Sequence, residues 1–188
     1  AEERGACPDA AEYGYKERFS NKTAIAPTAS ISIICGGASP GVESIAANSY
    51  THKTLSGSFN VRNRYLQKIL EKHNKNDDET WSSITTNQGS VSHLDFLTQQ
   101  EKDVFKTAFE LDQKWIVELG ADRTPHVSQA QSINIFVPAD IHKKELHQIH
   151  FQAWKKGLKS LYYCRSKSIQ RAENVNDAKL TDVTANVY

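Results

Sequence analysis

The chain has 188 residues, 38% of them hydrophobic and 24% charged, with a net charge of +1. That length suffices for one domain with a real core, and the balance excludes a disordered chain. A near-neutral charge gives no electrostatic support to a nucleic-acid partner, and no apolar run approaches the length of a membrane span.

The chain begins "AEERGACPDA" and opens with no secretory signal, so the expected location is cytoplasmic. Its cysteines, Cys7, Cys35 and Cys164, are scattered and form no CxxC pair. That usage points to a reducing compartment, against a disulfide frame or a zinc site. His142, His147 and His150 lie near one another and read as a polar helix face, so no metal is expected. The chain has no methionine, which fits a piece of something longer or a processed product.

Up to about Asn21 the chain reads as polar loop with some helix. "KTAIA" (Lys22–Ala26) reads as a short buried strand ending at Pro27. "PTASISIICGGASPG" then passes from small hydroxyl residues through an apolar run to a Gly/Pro turn cluster. "RNRYLQKILEKH" sets Tyr65, Leu66, Ile69, Leu70 and His73 at helical spacing. "DDETWSSITTNQG" predicts a second helix with Gly89 near its end. "TQQE" (Thr98–Glu101) is a capping box. Val104, Phe105, Ala108, Leu111, Trp115, Ile116 and Leu119 follow as one broad apolar helix face, closed by Gly120.

Thr124–Pro125 predicts an N-cap and first helical position, with a short helix to about Gln131. "INIFV" (Ile133–Val137) reads as a buried strand. Asp140 is expected to cap a helix with Leu146, Ile149, Ala153 and Trp154 inward, ended by Gly157. "LKSLYYCRS" reads as the last strand, and the chain past Arg171 as a polar tail. Strand, helices, strand, helix, strand is an α/β order with mostly parallel strands and helical crossovers.

Chemistry has two candidate places. In "PTASIS" (Pro27–Ser32) a strand ends in proline and small hydroxyl residues before a helix. Such a helix start leaves backbone N–H groups for an anion, and a phosphate fits. The same residues also serve as an ordinary N-cap, with Thr28 and Ser30 holding the turn. The second place is Tyr162–Tyr163. Neighbours on a strand point to opposite faces, so one ring should meet a core and the other water, unless both faces are covered. Two phenols there are either core aromatics, buried hydrogen-bonding groups, or one-electron carriers that release a proton on oxidation.

These two sites, in this order, carry a family resemblance. The segments "ERFSNKTAIAPTASISIICGGASPGVE", "THKTLSGSF", "WSSI", "GSVSHLDFL", "EKDVFKTAFELDQKW", "ADRTP", "QAQSINIF", "PADI" and "GLKSLYYCRSKSIQRA" resemble the C-terminal part of the large, catalytic subunit of class I ribonucleotide reductase. The resemblance covers almost the whole chain. It implies the C-terminal half of a ten-stranded α/β barrel over 1–172, with 173–188 as tail.

It also implies that Tyr162 and Tyr163 relay a radical from a separate small subunit, and that Thr28, Ala29, Ser30 and Ile31 hold the diphosphate of a ribonucleoside diphosphate substrate. The complete enzyme would form deoxyribonucleoside diphosphates. The implied partners are the complementary N-terminal portion and the radical-bearing small subunit. The family's thiyl-forming and redox cysteines match no position here, so no activity is expected from the chain alone, and Cys7, Cys35 and Cys164 receive no redox role. The implied radical metallocofactor belongs to the small subunit, thioredoxin or glutaredoxin is the implied reductant, and ATP/dNTP effectors bind elsewhere. Ser44 stands where the family commonly has proline, so a looser loop is expected after Gly41. Half a barrel would leave open sheet edges and an uncovered apolar face. The alternative is a non-catalytic remnant that binds the small subunit or an anionic ligand.

Overall fold

The computed structural model of this protein describes residues 1–54 and 57–167. The expected tail at 173–188 lies outside the described residues, as do Leu55 and Ser56 of "THKTLSGSF". In chain order the elements are α1 (Pro8–Glu12), α2 (Ala29–Ile34), β1 (Ser49–Thr54), β2 (Gly57–Arg62), α3 (Arg64–Lys72), α4 (Asp78–Thr86), α5 (Gln99–Val104), α6 (Gln113–Arg123), β3 (Ile135–Val137), α7 (Lys143–Lys155) and β4 (Cys164–Ser166). Single 3-10 turns stand at Ala108–Glu110 and Thr124–His126. The chain divides into two compact units.

The first unit comprises Ala1–Glu43, Asp112–Ile135 and Lys143–Tyr163. Its centre is the segment Gln131–Ile135, bonded on both sides. On one side Gln129 N–H donates to Thr23 O and Ser132 N–H to Ile25 O, with Ile25 and Gln131 in a parallel bridge. On the other, Tyr162 N–H donates to Ile133 O and Ile135 N–H to Tyr163 O, both at 2.8 Å. These bonds advance together along both chains, which is the parallel sense. The expected strand at Lys22–Ala26 is thus present only as that bridge, because the chain turns away at Pro27.

Helix α6 lies close to this ladder. A side chain at Gly120 would set its Cβ 2.6 Å from Ile133 Cδ1, so a larger residue there would have to push the Ile133 side chain aside. Gln131 ties the strand to the helix. Its Nε2 donates to Gly120 O (2.8 Å) and its Oε1 accepts from Arg123 Nε (2.9 Å). Helix α7 packs on α6 and buries Ile149 and Ala153.

The second unit, Ser44–Leu111 with Phe136–His142 and, of the described residues, 164–167, has its own core. Leu66 and Leu70 of α3 and Trp81 and Ile84 of α4 meet Val91, Leu94, Leu97 and Phe105. Asn63 caps α3, its Oδ1 accepting from Tyr65 N–H and Leu66 N–H, and Asp77 caps α4 through Thr80 N–H. The Thr98–Glu101 capping box starts α5, and Glu101 also meets His73 Nε2 at 3.2 Å. A hairpin not foreseen from the sequence pairs β1 with β2 antiparallel, Ser49 opposite Arg62. At its base Asn48 is 1% exposed and joins three segments. Its Nδ2 donates to Gly89 O (2.9 Å) and Phe105 O (2.7 Å), and its Oδ1 accepts from Asn63 Nδ2 (2.9 Å). Gly89, at φ +80°, could carry no side chain: a Cβ there would stand 2.3 Å from that of Ala47.

Several expectations about the helices need correction. The single long helix after Thr98 is instead α5, a 3-10 turn and α6, because Thr107 and Asp112 each cap a new start. That break changes the helical phase. Gln113, Val117 and Gly120 now face inward, whereas Val104, Trp115 and Leu119 are 70%, 67% and 54% exposed. Gly120 accordingly lies within α6 and does not end it. The helix expected from Thr124 is one 3-10 turn, since Ser128–Gln131 is drawn into the ladder. Helix α7 starts at Lys143, past Asp140, and turns Trp154 outward, 73% exposed.

Two outcomes are expected. Asn48→Ala should lower stability in urea unfolding by about 2–3 kcal/mol, since it strands Phe105 O and Asn63 Nδ2 in a buried site. Thr98 N–H, and after it the His73 ring, hold the Glu101 carboxyl below its ordinary 4.5. A depressed carboxylate contributes stability that is present above that value and is lost as pH falls through the lowered one. Glu101→Gln should therefore flatten the acid limb of the melting temperature against pH, relative to the native chain.

Candidate active site

Both candidate places fall within the first unit. At the end of the Lys22–Ala26 segment, Thr28 is the N-cap of α2. Its backbone N–H and its Oγ1 both donate to Pro40 O, at 3.0 and 2.9 Å. Thr28 therefore closes the loop with both of its donors. The amides of Ala29, Ser30 and Ile31 are the first-turn donors of α2, with no helical carbonyl one turn before them. No described backbone bond engages any of the three. Helix α2 is six residues long and inverted in polarity. It buries Ser32, whose Oγ donates to Ala29 O at 2.7 Å, and leaves Ile31, Ile33 and Ile34 exposed.

Tyr162 and Tyr163 lie on the opposite side of the central segment. Their ring centroids are 4.2 Å apart with planes at 61°, an edge-to-face contact. They are 50% and 53% exposed, so the division of one ring to core and one to water is not what the chain adopts. The extended backbone is pinned from both ends. Tyr162 N–H and Tyr163 O are bonded to the central segment, and Lys159 Nζ donates to Val127 O (3.1 Å) and to Ser128 O.

The register relates the two places. Ile25 is level with Gln131, so Pro27 falls level with Ile133, which accepts from Tyr162. Two strand spacings, roughly 10 Å in all, separate the tyrosine backbone from the point where the loop leaves the ladder. In parallel sheets ligands gather at such carboxyl ends.

Sequence reasoning missed Glu43 and Asn134. Glu43 is 6% exposed, and its carboxylate accepts from the backbone N–H and the Nδ2 of Asn134. Elsewhere Ser83 Oγ and His93 Nε2 are 2.7 Å apart in the second unit. Burial, then the Lys102 charge, pushes His93 below its ordinary value, and its Nδ1 has no orienting partner among the described residues. That pair is a polar link in a core. His150 Nδ1 donates to Leu146 O and His147 stacks on Phe151. Among the described residues no group of His, Cys, Asp and Glu could hold a metal ion, and no helix is long and apolar enough to cross a membrane.

A family model described as "Ribonucleotide reductase, barrel domain" matches residues 7–164. The chain therefore belongs to the ribonucleotide reductase barrel-domain family, and its fold is that family's α/β barrel fold. It is 51% identical over 173 residues to the ribonucleoside-diphosphate reductase large subunit of Invertebrate iridescent virus 6, covering 90% of this chain and 18% of that protein. The putative large subunit of Frog virus 3 is 40% identical over 179 residues, covering 95% of this chain and 31% of the relative. Among solved structures, the Actinobacillus ureae class Id ribonucleotide reductase alpha subunit aligns with a TM-score of 0.75 at 35% identity, over 95% of this chain and 31% of that one. The chain thus spans under a third of the length of these relatives.

Proposed function

We propose that this chain supplies the diphosphate loop and the tyrosine relay of a ribonucleoside-diphosphate reductase large subunit, as the C-terminal half of a ten-stranded barrel. The observation that carries the reading is the Tyr162–Tyr163 ring contact of 4.2 Å, held one strand away from the segment beside the Thr28–Ile31 loop. Phenols in contact can exchange an electron and a proton together. The oxidised ring takes back both and becomes a phenol again, and its neighbour becomes the phenoxyl. Charge is conserved at each ring, so the step needs no buried ion.

The loop would serve the substrate differently. Its Ala29, Ser30 and Ile31 amides offer three neutral donors to the diphosphate at the positive end of α2, and the Thr28–Pro40 bonds hold them in place. In this reading the substrate is a ribonucleoside diphosphate. The unpaired electron comes from a metallocofactor on the small subunit and goes to a cysteine of the complementary N-terminal portion. Thioredoxin or glutaredoxin and the ATP/dNTP effectors act on parts of the enzyme outside this chain. Alone, the chain would have neither the source nor the destination of that electron and would not turn over.

The test is reconstitution of the chain with the complementary portion and the small subunit, assayed for diphosphate reduction. Tyr162→Phe and Tyr163→Phe should each reduce turnover to background, with circular dichroism and melting temperature unchanged. A phenylalanine fills the space but has no phenolic proton to give. Native-level turnover in either variant removes the relay.

A further inference from the structure

The Lys22–Ala26 segment leaves the central segment at Pro27, and what replaces it is a side chain. Ser132 N–H donates to Ile25 O; two residues on, the ladder would next pair Asn134 N–H with the carbonyl of residue 27. Instead Asn134 N–H donates to Glu43 Oε1. Asn134 Nδ2 reaches Glu43 Oε2 at 3.3 Å. The opposite amide orientation would set two acceptors against each other, so the carboxylate decides which way the Asn134 side chain lies. Its Oδ1 is turned away and buried without a hydrogen-bond partner among the described residues.

The rest of the loop closes on the same point. Ser39 Oγ donates to Glu43 O at 2.5 Å, and Thr28 donates twice to Pro40 O. A Cβ on Gly41 would stand 2.2 Å from Glu43 Oε2, so the absence of a side chain there lets the carboxylate fold back along its own turn. Glu43 makes no ion pair among the described residues. A buried carboxylate held only by amides is a costly way to join two segments, and an uncharged side chain could join them with less desolvation. Its charge makes both oxygens acceptors, which a glutamine cannot offer.

We propose that Glu43 is a positioning residue for the diphosphate loop. Its carboxylate takes the ladder position that residue 27 gives up, and so keeps Pro27–Ile31 splayed from the central segment with the amides of Ala29–Ile31 free. This rests on the loop reading given above, and it adds the part that sets the loop's geometry. Glu43→Gln keeps the shape but puts an NH2 against the Asn134 NH2. Asn134 must then flip or let go. Adding Asn134→Asp restores an acceptor facing the amide that Glu43→Gln introduces, and keeps an acceptor on the far side.

The experiment uses the full chain, titrated calorimetrically with inorganic pyrophosphate and followed by amide hydrogen exchange. Glu43→Gln should weaken pyrophosphate binding at least about tenfold and speed exchange of the Thr28 amide by a similar factor, with circular dichroism unchanged. The Glu43→Gln, Asn134→Asp double variant should recover most of both. Native affinity and native Thr28 protection in Glu43→Gln would overturn the positioning role, even with a lowered melting temperature, because a merely structural link moves only stability. No pyrophosphate binding by the native chain would overturn the loop reading instead. Thr28 exchange then decides the positioning role by itself, and unchanged protection in Glu43→Gln rejects it.

Discussion

The central segment Gln131–Ile135 is the constraint on which the first unit depends. It is short and largely buried, and it has partners on both sides, so the loop segment and the tyrosine segment are each placed by reference to it. Its own position comes from one helix. Gln131 holds the carbonyl of Gly120 and the guanidinium of Arg123, and the missing side chain at Gly120 lets the helix come within packing distance of Ile133. A polar residue in a buried strand is costly unless both ends of its amide are satisfied, and here both are. The reward is register: a slip by one residue would break the Gln131 bonds and reverse every side chain of the segment.

The second unit solves the same problem with Asn48. Its amide bonds to backbone carbonyls at Gly89 and Phe105 and to the cap residue of α3. Hairpin, helical pair and the turn after α4 thus meet at one side chain. Apolar packing of Leu66, Leu70, Trp81 and Ile84 supplies most of the driving force, but it is non-directional and would tolerate other arrangements. In both units a buried amide fixes what the apolar contacts leave open.

Local chemistry was legible in the sequence, and distant chemistry was not. The Thr98–Glu101 capping box could be read because all its atoms lie within one helical turn. The α3 stripe was readable for the same reason, with Leu66 and Leu70 one turn apart and both buried. The apolar face from Val104 to Leu119 failed because its spacing assumed one helix, while Thr107 and Asp112 restart the chain. Trp115 and Trp154 were assigned inward by their place on an apolar helix face, and spacing does not say what layer covers that face. The hairpin at Ser49–Arg62 has too much polar character on both faces to show a strand period. Glu43 was invisible as a site residue because its partner lies 91 positions away. The nearest signal was one acid closing a Gly/Pro turn cluster, and surface turns produce that pattern freely.

The half-open setting of the tyrosine pair has a consequence for timing. A phenoxyl in contact with bulk solvent meets dissolved thiols and ascorbate, which quench it. Two rings left about half bare are poor custodians of an unpaired electron. For the proposed relay, then, a surface from outside this chain, whether the complementary portion or a docked subunit, would have to shield them before oxidation begins.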